Sequence, residues 1–265
     1  MIHSLAYIHP EAIIGDQVTI DPFVTIEKDV VVGDGTHVMS NATLLAGTRI
    51  GKKCTIFPGA VIGAIPQDLK FRGEYSTAEI GDNTTVREFV TVNRGTAARG
   101  KTTVGNNCLL MAYVHVAHDC EVGNNVILVN NTQLAGEVVI NDFAILAGLV
   151  AVHQFVRIGA HVMIAGGSLV RKDVPPYVRA GREPISYVGI NSIGLRRRNM
   201  TPEKVQEIHE IYRYIYQSNL NTSQAIATIE AEMPATPERD EIVNFIKDSK
   251  RGIIRGGAVG DSDED

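Results

Sequence analysis

From Ile8 an aliphatic residue returns at every sixth position, through Ile14, Ile20, Ile26, Val32, Val38, Leu44, Ile50, Ile56 and Ile62. The same phase reappears at Ile80, Val86 and Val92, then holds without a break from Val104 to Val170. Four positions after each aliphatic stands a small or β-branched residue, as at Ala12, Val18, Thr36, Ala42, Thr48, Ala60, Thr132, Ala144 and Ser168. Two inward positions separated by one outward residue describe a short strand. A helix would place apolar residues three and four apart, and an open antiparallel sheet would show hairpin turns without a fixed period. A period of six instead predicts a parallel β-helix, in which each turn is too thin to fold alone and stacking makes the core. Residues 18 apart then share an edge of the prism, one inter-strand spacing of about 4.8 Å from each other. Gly15-Asp16, Gly33-Asp34, Gly51-Lys52, Gly105-Asn106 and Gly123-Asn124 fall at its corners, where residues that tolerate positive φ or tight bends are expected.

The pattern fails twice and recovers its phase each time. Residues 64–79 (AIPQDLKFRGEYSTAE) and 93–103 (NRGTAARGKTT) are expected to project from the prism as binding loops, since a solenoid needs none. Pro175-Pro176 are expected to end the coil. From about Asn191 the period becomes helical, with Val205, Ile208, Ile211, Tyr212 and Ile215 on one face and start signals at Thr201-Pro202 and Thr236-Pro237. About three short helices should follow. The chain therefore reads as mainly β, with a parallel β-helix domain over 1–190, a small C-terminal α-helical domain over 191–255 and a polar, acidic tail over 256–265 expected to be disordered.

Composition narrows the function. Lys and Arg total 25 against 30 Asp and Glu, a net charge of −5, which leaves no basic footprint for nucleic acid or an anionic membrane surface. The first ten residues lack the pattern of a signal peptide, and the longest apolar run, Phe143 to Val152, is too short to span a bilayer. A cytoplasmic protein is expected. Cys54, Cys108 and Cys120 share the inward phase and read as small core residues rather than disulfide partners or metal ligands.

Because the prism fills its own interior, chemistry must sit outside it, and a convex prism has no deep concavity of its own. Packing of identical three-sided prisms would create clefts, so a homotrimer with sites between subunits is expected. His118, Gly136 and Gln154 are 18 apart and form one vertical column. A histidine can take a proton near neutral pH, and a glycine one turn above exposes an amide to a developing oxyanion. Together they make an acyl-transfer pair, although a surface turn residue beside a corner glycine reads equally well. Asp119 is placed to orient the imidazole, and Glu137 one turn above it would repel it and raise one of the two pKa values. His115 and His153 complete a histidine group that leaves a zinc site open, as in the gamma-class carbonic anhydrases, though their spacing describes no tetrahedral set. Arg196-Arg197-Arg198 opens the helical region and suits an anion, or is a solvated basic turn.

A family resemblance runs through these same residues. His115-Val-Ala-His118-Asp-Cys, Asn130-Asn-Thr-Gln-Leu-Ala-Gly136, Val152-His-Gln-Phe155, Gly159-Ala-His-Val-Met163, Asp173-Val-Pro-Pro-Tyr177 and Pro66-Gln-Asp-Leu-Lys70 resemble the acyl-carrier-protein:UDP-N-acetylglucosamine O-acyltransferases that open lipid A synthesis. The resemblance implies a left-handed coil of hexapeptide repeats and no cofactor. It implies two substrates, UDP-N-acetylglucosamine and a (R)-3-hydroxyacyl carrier protein, with His118 as general base, Asp119 orienting it and Gly136 as oxyanion donor. Asp68, Lys70, His115, Glu137, His153 and Gln154 would lie in the cleft, Gly166 would limit acyl length, and Asn191, Arg197 and Arg198 would meet the nucleotide and its phosphates. Glu137 replaces a histidine and Ile193 an acid of well-known members. The related N-acyltransferases usually carry an extra domain before the prism, and acetyl-coenzyme A transferases of this fold lack the Pro66 to Lys70 motif; both remain as alternatives.

Overall fold

The hexads become strands of two to five residues that wind into a three-walled, left-handed parallel β-helix, seen in a computed structural model that describes residues 1–256. The walls contain nine, eight and eleven strands. Along the nine-stranded wall His115 pairs with Gln133, Gln133 with Ala151 and Ala151 with Leu169, so neighbours on one wall are 18 residues apart in sequence. Every aliphatic of the repeat from Ile20 to Val170 is buried, and each such side chain stabilises the stack by roughly 1.5–3 kcal/mol. The cysteines lie in the same core, where burial pushes the Cys120 thiol up to about 12 and keeps it protonated.

Corners repeat every six residues, and the residue with positive φ is the one after the position read from the sequence. Gln17, Phe23, Asp29, Asn41, Lys53 and their successors up to His161 hold it, so most of these bends are made by side-chain-bearing residues. Gly15 and Gly33 serve crowding instead: a Cβ on Gly15 would lie 2.5 Å from Asp34 Oδ1, and one on Gly33 would lie 2.6 Å from the Gly51 carbonyl. The crowding has a cause, since Asp34 Oδ1 accepts from the Asp16 amide one turn below at 3.0 Å, and Asp82, Asn106, Asn124 and Asp142 repeat the arrangement up the same edge.

Both loops leave the prism at a single edge, in the two turns beneath His118. They are narrower than the broken pattern suggests. Thr77–Ile80 and Lys101–Val104 already pair as strands, which leaves residues 65–76 and 94–100 as the excursions proper.

The coil does not end at the prolines. Pro176 occupies a corner, where its missing amide is not needed, and Val178–Gly181 pairs beyond it with Met163–Ile164. Only then does the chain double back as the antiparallel strand Ser186–Ile190. Four helices rather than three follow: α1 Ser192–Arg197, α2 Pro202–Tyr216, α3 Thr222–Glu232 and α4 Pro237–Lys247. Thr201, Asn221 and Thr236 cap the last three, each accepting a hydrogen bond from an amide of the first turn. The helix α2 lays Val205, Ile208, Ile211, Tyr212 and Ile215 inward, and the Tyr212 hydroxyl donates to the Pro176 carbonyl at 2.5 Å, which fixes the helical part to the end of the coil. Gly256, expected to start a disordered tail, lies in a short strand with Arg255 beside Ser186–Ile190. The rest of that expectation concerns 257–265, outside the described residues.

Candidate active site

His118 and Asp119 form one corner between the nine- and eight-stranded walls, and Gly136-Glu137 and Gln154-Phe155 are the corners stacked above it. The Glu137 amide donates to the His118 carbonyl at 3.0 Å, and the Phe155 amide to the Gly136 carbonyl at 3.2 Å. Asp119 adopts a positive φ of 59°, a conformation aspartate tolerates better than most residues, and this turns its carboxylate back onto the preceding histidine. His118 Nδ1 lies 2.8 Å from Asp119 Oδ2. A carboxylate only accepts, so Nδ1 carries a proton toward it, and Nε2 is the nitrogen left to take a proton from a substrate.

The loops complete this corner. Thr96, in the second loop, donates to Asp119 through its amide (2.9 Å) and its hydroxyl (2.7 Å), and the Arg99 amide adds a third contact at 3.1 Å. Asp119 is fully buried. Burial pushes its carboxyl up, but the hydrogen bonds from Thr96 and His118 outweigh it and hold the group below its ordinary value. The rise expected from Glu137 is not seen at Asp119, which is lowered. Glu137 instead shares a cavity with Arg99 and Arg157. From the first loop Asp68 reaches the other side of the imidazole, 3.9 Å from Nε2. The Lys70 amide, at 2.9 Å, is the main cause holding the Asp68 carboxyl low, while Lys70 itself is exposed. Nothing in the sequence marked Thr96 or the Arg99 amide; an alanine- and glycine-rich loop carries no signal that its backbone will cradle a carboxylate.

His118 Nε2 points at Gly136. A Cβ built on that glycine would stand 2.4 Å from Nε2 and 2.5 Å from Cε1, so only a residue without a side chain lets the imidazole occupy its place. Gly136 lacks positive φ, and among the described residues nothing accepts from its amide. An unprotonated imidazole nitrogen and a spare amide at one water-poor corner can remove a proton and stabilise an oxyanion. His115 stands on the wall beside them, its Nδ1 2.7 Å from Thr91 Oγ1, and burial followed by the His118 charge pushes its pKa down. His153 is exposed, with Nδ1 3.1 Å from the Gln154 carbonyl. The three histidines do not converge: among the described residues no three His, Cys, Asp or Glu side chains are placed to share an ion.

The remaining sequence-predicted residues lie on the other two edges. Gly166 is an exposed corner on the edge that also bears Phe89, Tyr113 and Leu149, all exposed apolar side chains. Asn191, Arg197 and Arg198 lie by the third edge, where Phe143, His161 and Tyr177 stack. Asn191 caps α1 and donates to the His161 carbonyl at 2.8 Å; Arg198 covers Phe143 at 5.0 Å, while Arg197 is exposed. Burial, and then the Arg198 charge, pushes the His161 imidazole down to about 4, with Asp142 opposing. An unfolded histidine titrates near 6.5, so folding favours the neutral ring. Its contribution to stability is whole above about pH 6.5 and is lost as pH falls toward 4. His161→Phe, which keeps the stack, should flatten the fall in urea midpoint over that range; an unchanged slope would place the titrating group elsewhere.

Comparison with known proteins places this geometry. Residues 173–254 match the family described as Udp N-acetylglucosamine O-acyltransferase, domain 2. Residues 101–136 match the bacterial transferase hexapeptide, and 2–98 the GMPPB C-terminal domain. An acyl-[acyl-carrier-protein]--UDP-N-acetylglucosamine O-acyltransferase of Thermodesulfovibrio yellowstonii is 43% identical over 255 residues, covering 96% of this chain and 99% of its own. The chain belongs to the acyl-[acyl-carrier-protein]--UDP-N-acetylglucosamine O-acyltransferase family. A second O-acyltransferase relative, from Chlamydia abortus, is 47% identical over 97% of this chain and 92% of its own. The crystal structure of a UDP-N-acetylglucosamine acyltransferase from Bacteroides fragilis superposes with a TM-score of 0.94 at 61% identity, covering 96% of this chain and 100% of that one. No helix of the described residues is long and apolar enough to cross a membrane.

Proposed function

We propose that this O-acyltransferase moves a (R)-3-hydroxyacyl chain from acyl carrier protein to the 3-hydroxyl of UDP-N-acetylglucosamine, the first step of lipid A synthesis, in the cytoplasm. The observation that carries the reading is the corner at which Asp119 holds His118 with Nε2 in the space a side chain on Gly136 would fill. His118 Nε2 takes the proton of the sugar hydroxyl as its oxygen attacks the thioester carbon. The carbonyl oxygen becomes an oxyanion at the Gly136 amide, then the C–S bond breaks and the imidazolium returns its proton to the thiolate. Asp119 keeps the tautomer and favours the transient imidazolium. The balance is complete without metal or redox group. Asp68, Lys70, His115, Glu137, His153 and Gln154 line the sugar and acyl side of the cleft, and Asn191, Arg197 and Arg198 meet the nucleotide.

Three edges cannot meet within one prism, so the reading requires a homotrimer in which the His118 edge of one copy faces an edge of the next. The exposed Phe89, Tyr113 and Leu149 support this, since an apolar ridge gains by being covered. Light scattering at working concentration should give three times the chain mass, and a monomer mass would remove the cleft. Gly166 places no side chain beside that ridge, which leaves room for a long acyl chain. Offering UDP-N-acetylglucosamine with carrier-loaded 3-hydroxyacyl chains of graded length, with products weighed by mass spectrometry, tests the whole reading. A long-chain 3-O-ester with release of free carrier thiol is expected. Absence of ester here, with amide formed when a 3-O-acylated UDP-glucosamine bearing a free amine is offered instead, would make the protein the related N-acyltransferase.

A further inference from the structure

Two carboxylates face the His118 imidazole, Asp119 at Nδ1 and Asp68 beside Nε2, and they stand on different supports. Asp119 belongs to the prism and is cradled by the second loop. Asp68 rides on the first loop, where Leu69, Lys70, Arg72 and Gly73 are exposed and no residue from Gln67 to Tyr75 enters the aliphatic core. A segment with so few buried apolar contacts is held in place by its hydrogen bonds.

Those bonds form a continuous path from one carboxylate to the other. The Asp68 side chain accepts from the Lys70 amide at 2.9 Å, and its carbonyl accepts from the Phe71 amide at 3.0 Å. The Arg72 guanidinium returns to the Leu69 carbonyl at 2.7 Å, and the Arg72 amide donates to Glu74 Oε2 at 2.8 Å. The other oxygen of Glu74 leaves the loop: Oε1 accepts from the Ala97 amide at 3.0 Å. Ala97 follows Thr96, whose amide and hydroxyl hold Asp119. The loops also meet at their roots, as where Ser76 Oγ donates to the Gly95 carbonyl and Asn93 to the Ile65 carbonyl, and Arg94 covers Phe71 at 5.5 Å. Away from the roots, the bond from Ala97 to Glu74 is the one hydrogen bond between the loops among the described residues. Both partners of Glu74 are N–H donors, which a carboxylate can satisfy together, and the Arg72 amide is the main cause holding its carboxyl below the ordinary value.

We propose that Glu74 is a positioning residue for the acceptor sugar: it ties the Asp68 loop to the loop that cradles Asp119, and so fixes where Asp68 stands before His118 Nε2. The assignment rests on the acyl-transfer reading above, in which Asp68 lines the sugar side of the cleft. Glu74 acts through Asp68 and not on the substrate itself.

The test measures transfer with each substrate varied in turn. Glu74→Ala should raise the KM for UDP-N-acetylglucosamine about tenfold, the scale of one lost hydrogen bond to a charged group, with kcat and the KM for carrier-borne thioester within about twofold of wild type. In an Asp68→Ala background the same substitution should add less than about twofold, because the group it positions is gone. Reach and charge are then separated. Glu74→Gln keeps an oxygen that can take the Ala97 amide and should stay within about threefold of wild type, whereas Glu74→Asp keeps the charge on a shorter arm and should behave like Glu74→Ala. These two variants decide the matter even if Glu74→Ala does not fold. An equal rise in both KM values, full additivity with Asp68→Ala, or an impaired Glu74→Gln beside a normal Glu74→Asp would overturn the proposal and leave the enzyme reading intact. An inactive wild type would remove the reading itself.

Discussion

His118→Ala is expected to lower kcat by roughly 10²–10⁴, the scale of losing a positioned general base, while trimer mass and unfolding midpoint stay near those of wild type. The side chain sits at a corner against Asp119 and Gly136 and outside the aliphatic core, so its loss opens a pocket without removing a core residue. Two neighbours are near enough to be rivals for the role. Asp68 approaches Nε2 at 3.9 Å, but its carboxyl is held low by the Lys70 amide and is a poor base at neutral pH. His115 stands one strand earlier, and its Nδ1 is occupied by Thr91. Activity within tenfold of wild type in His118→Ala would transfer the role to one of them, and pairing the substitution with Asp68→Asn or His115→Ala would show which.

Gly136→Ala should cost nearly as much for the opposite reason, by adding an atom rather than removing one. The new Cβ would fall where the imidazole now stands, at 2.4 Å from Nε2, and the ring must move. A misplacement of about 1 Å at a reacting centre lowers the rate by about 10². Backbone strain does not contribute, because the glycine is not in the left-handed region, so stability should change far less than activity. A KM near that of wild type with kcat lowered 10²-fold is the expected split. An active Gly136→Ala enzyme would mean that the imidazole works from a different rotamer.

How much of this was readable in advance depends on whether a residue acts through the repeat. His118, Gly136 and the aliphatic core could be placed because a period of six fixes wall, edge and turn for every residue that obeys it. Thr96 could not, since it holds Asp119 from inside a loop whose path no period describes. The bends were misplaced by one residue because the sequence signal, glycine, marks where successive turns crowd, while the positive φ beside it is held by residues such as Gln17, Leu149 and His161 that suggest nothing of the kind. Pro175-Pro176 looked like a terminator because proline breaks helices and interior strands, yet at a solenoid corner it breaks nothing. Asn191 caps α1 and donates to the His161 carbonyl, a structural task that its position before a short helix did not reveal.

Paired strands that are 18 residues apart in most of the prism are 30 apart between Val61 and Thr91 and 24 apart between Thr91 and His115. Both departures are whole multiples of six. Chain can therefore be gained or lost at this one edge in hexad units without rotating a single downstream side chain from core to solvent. The loop that brings Asp68 and the loop that brings Thr96 are grafts on a frame that does not register their presence, so either can change in whole hexads while the scaffold stays fixed.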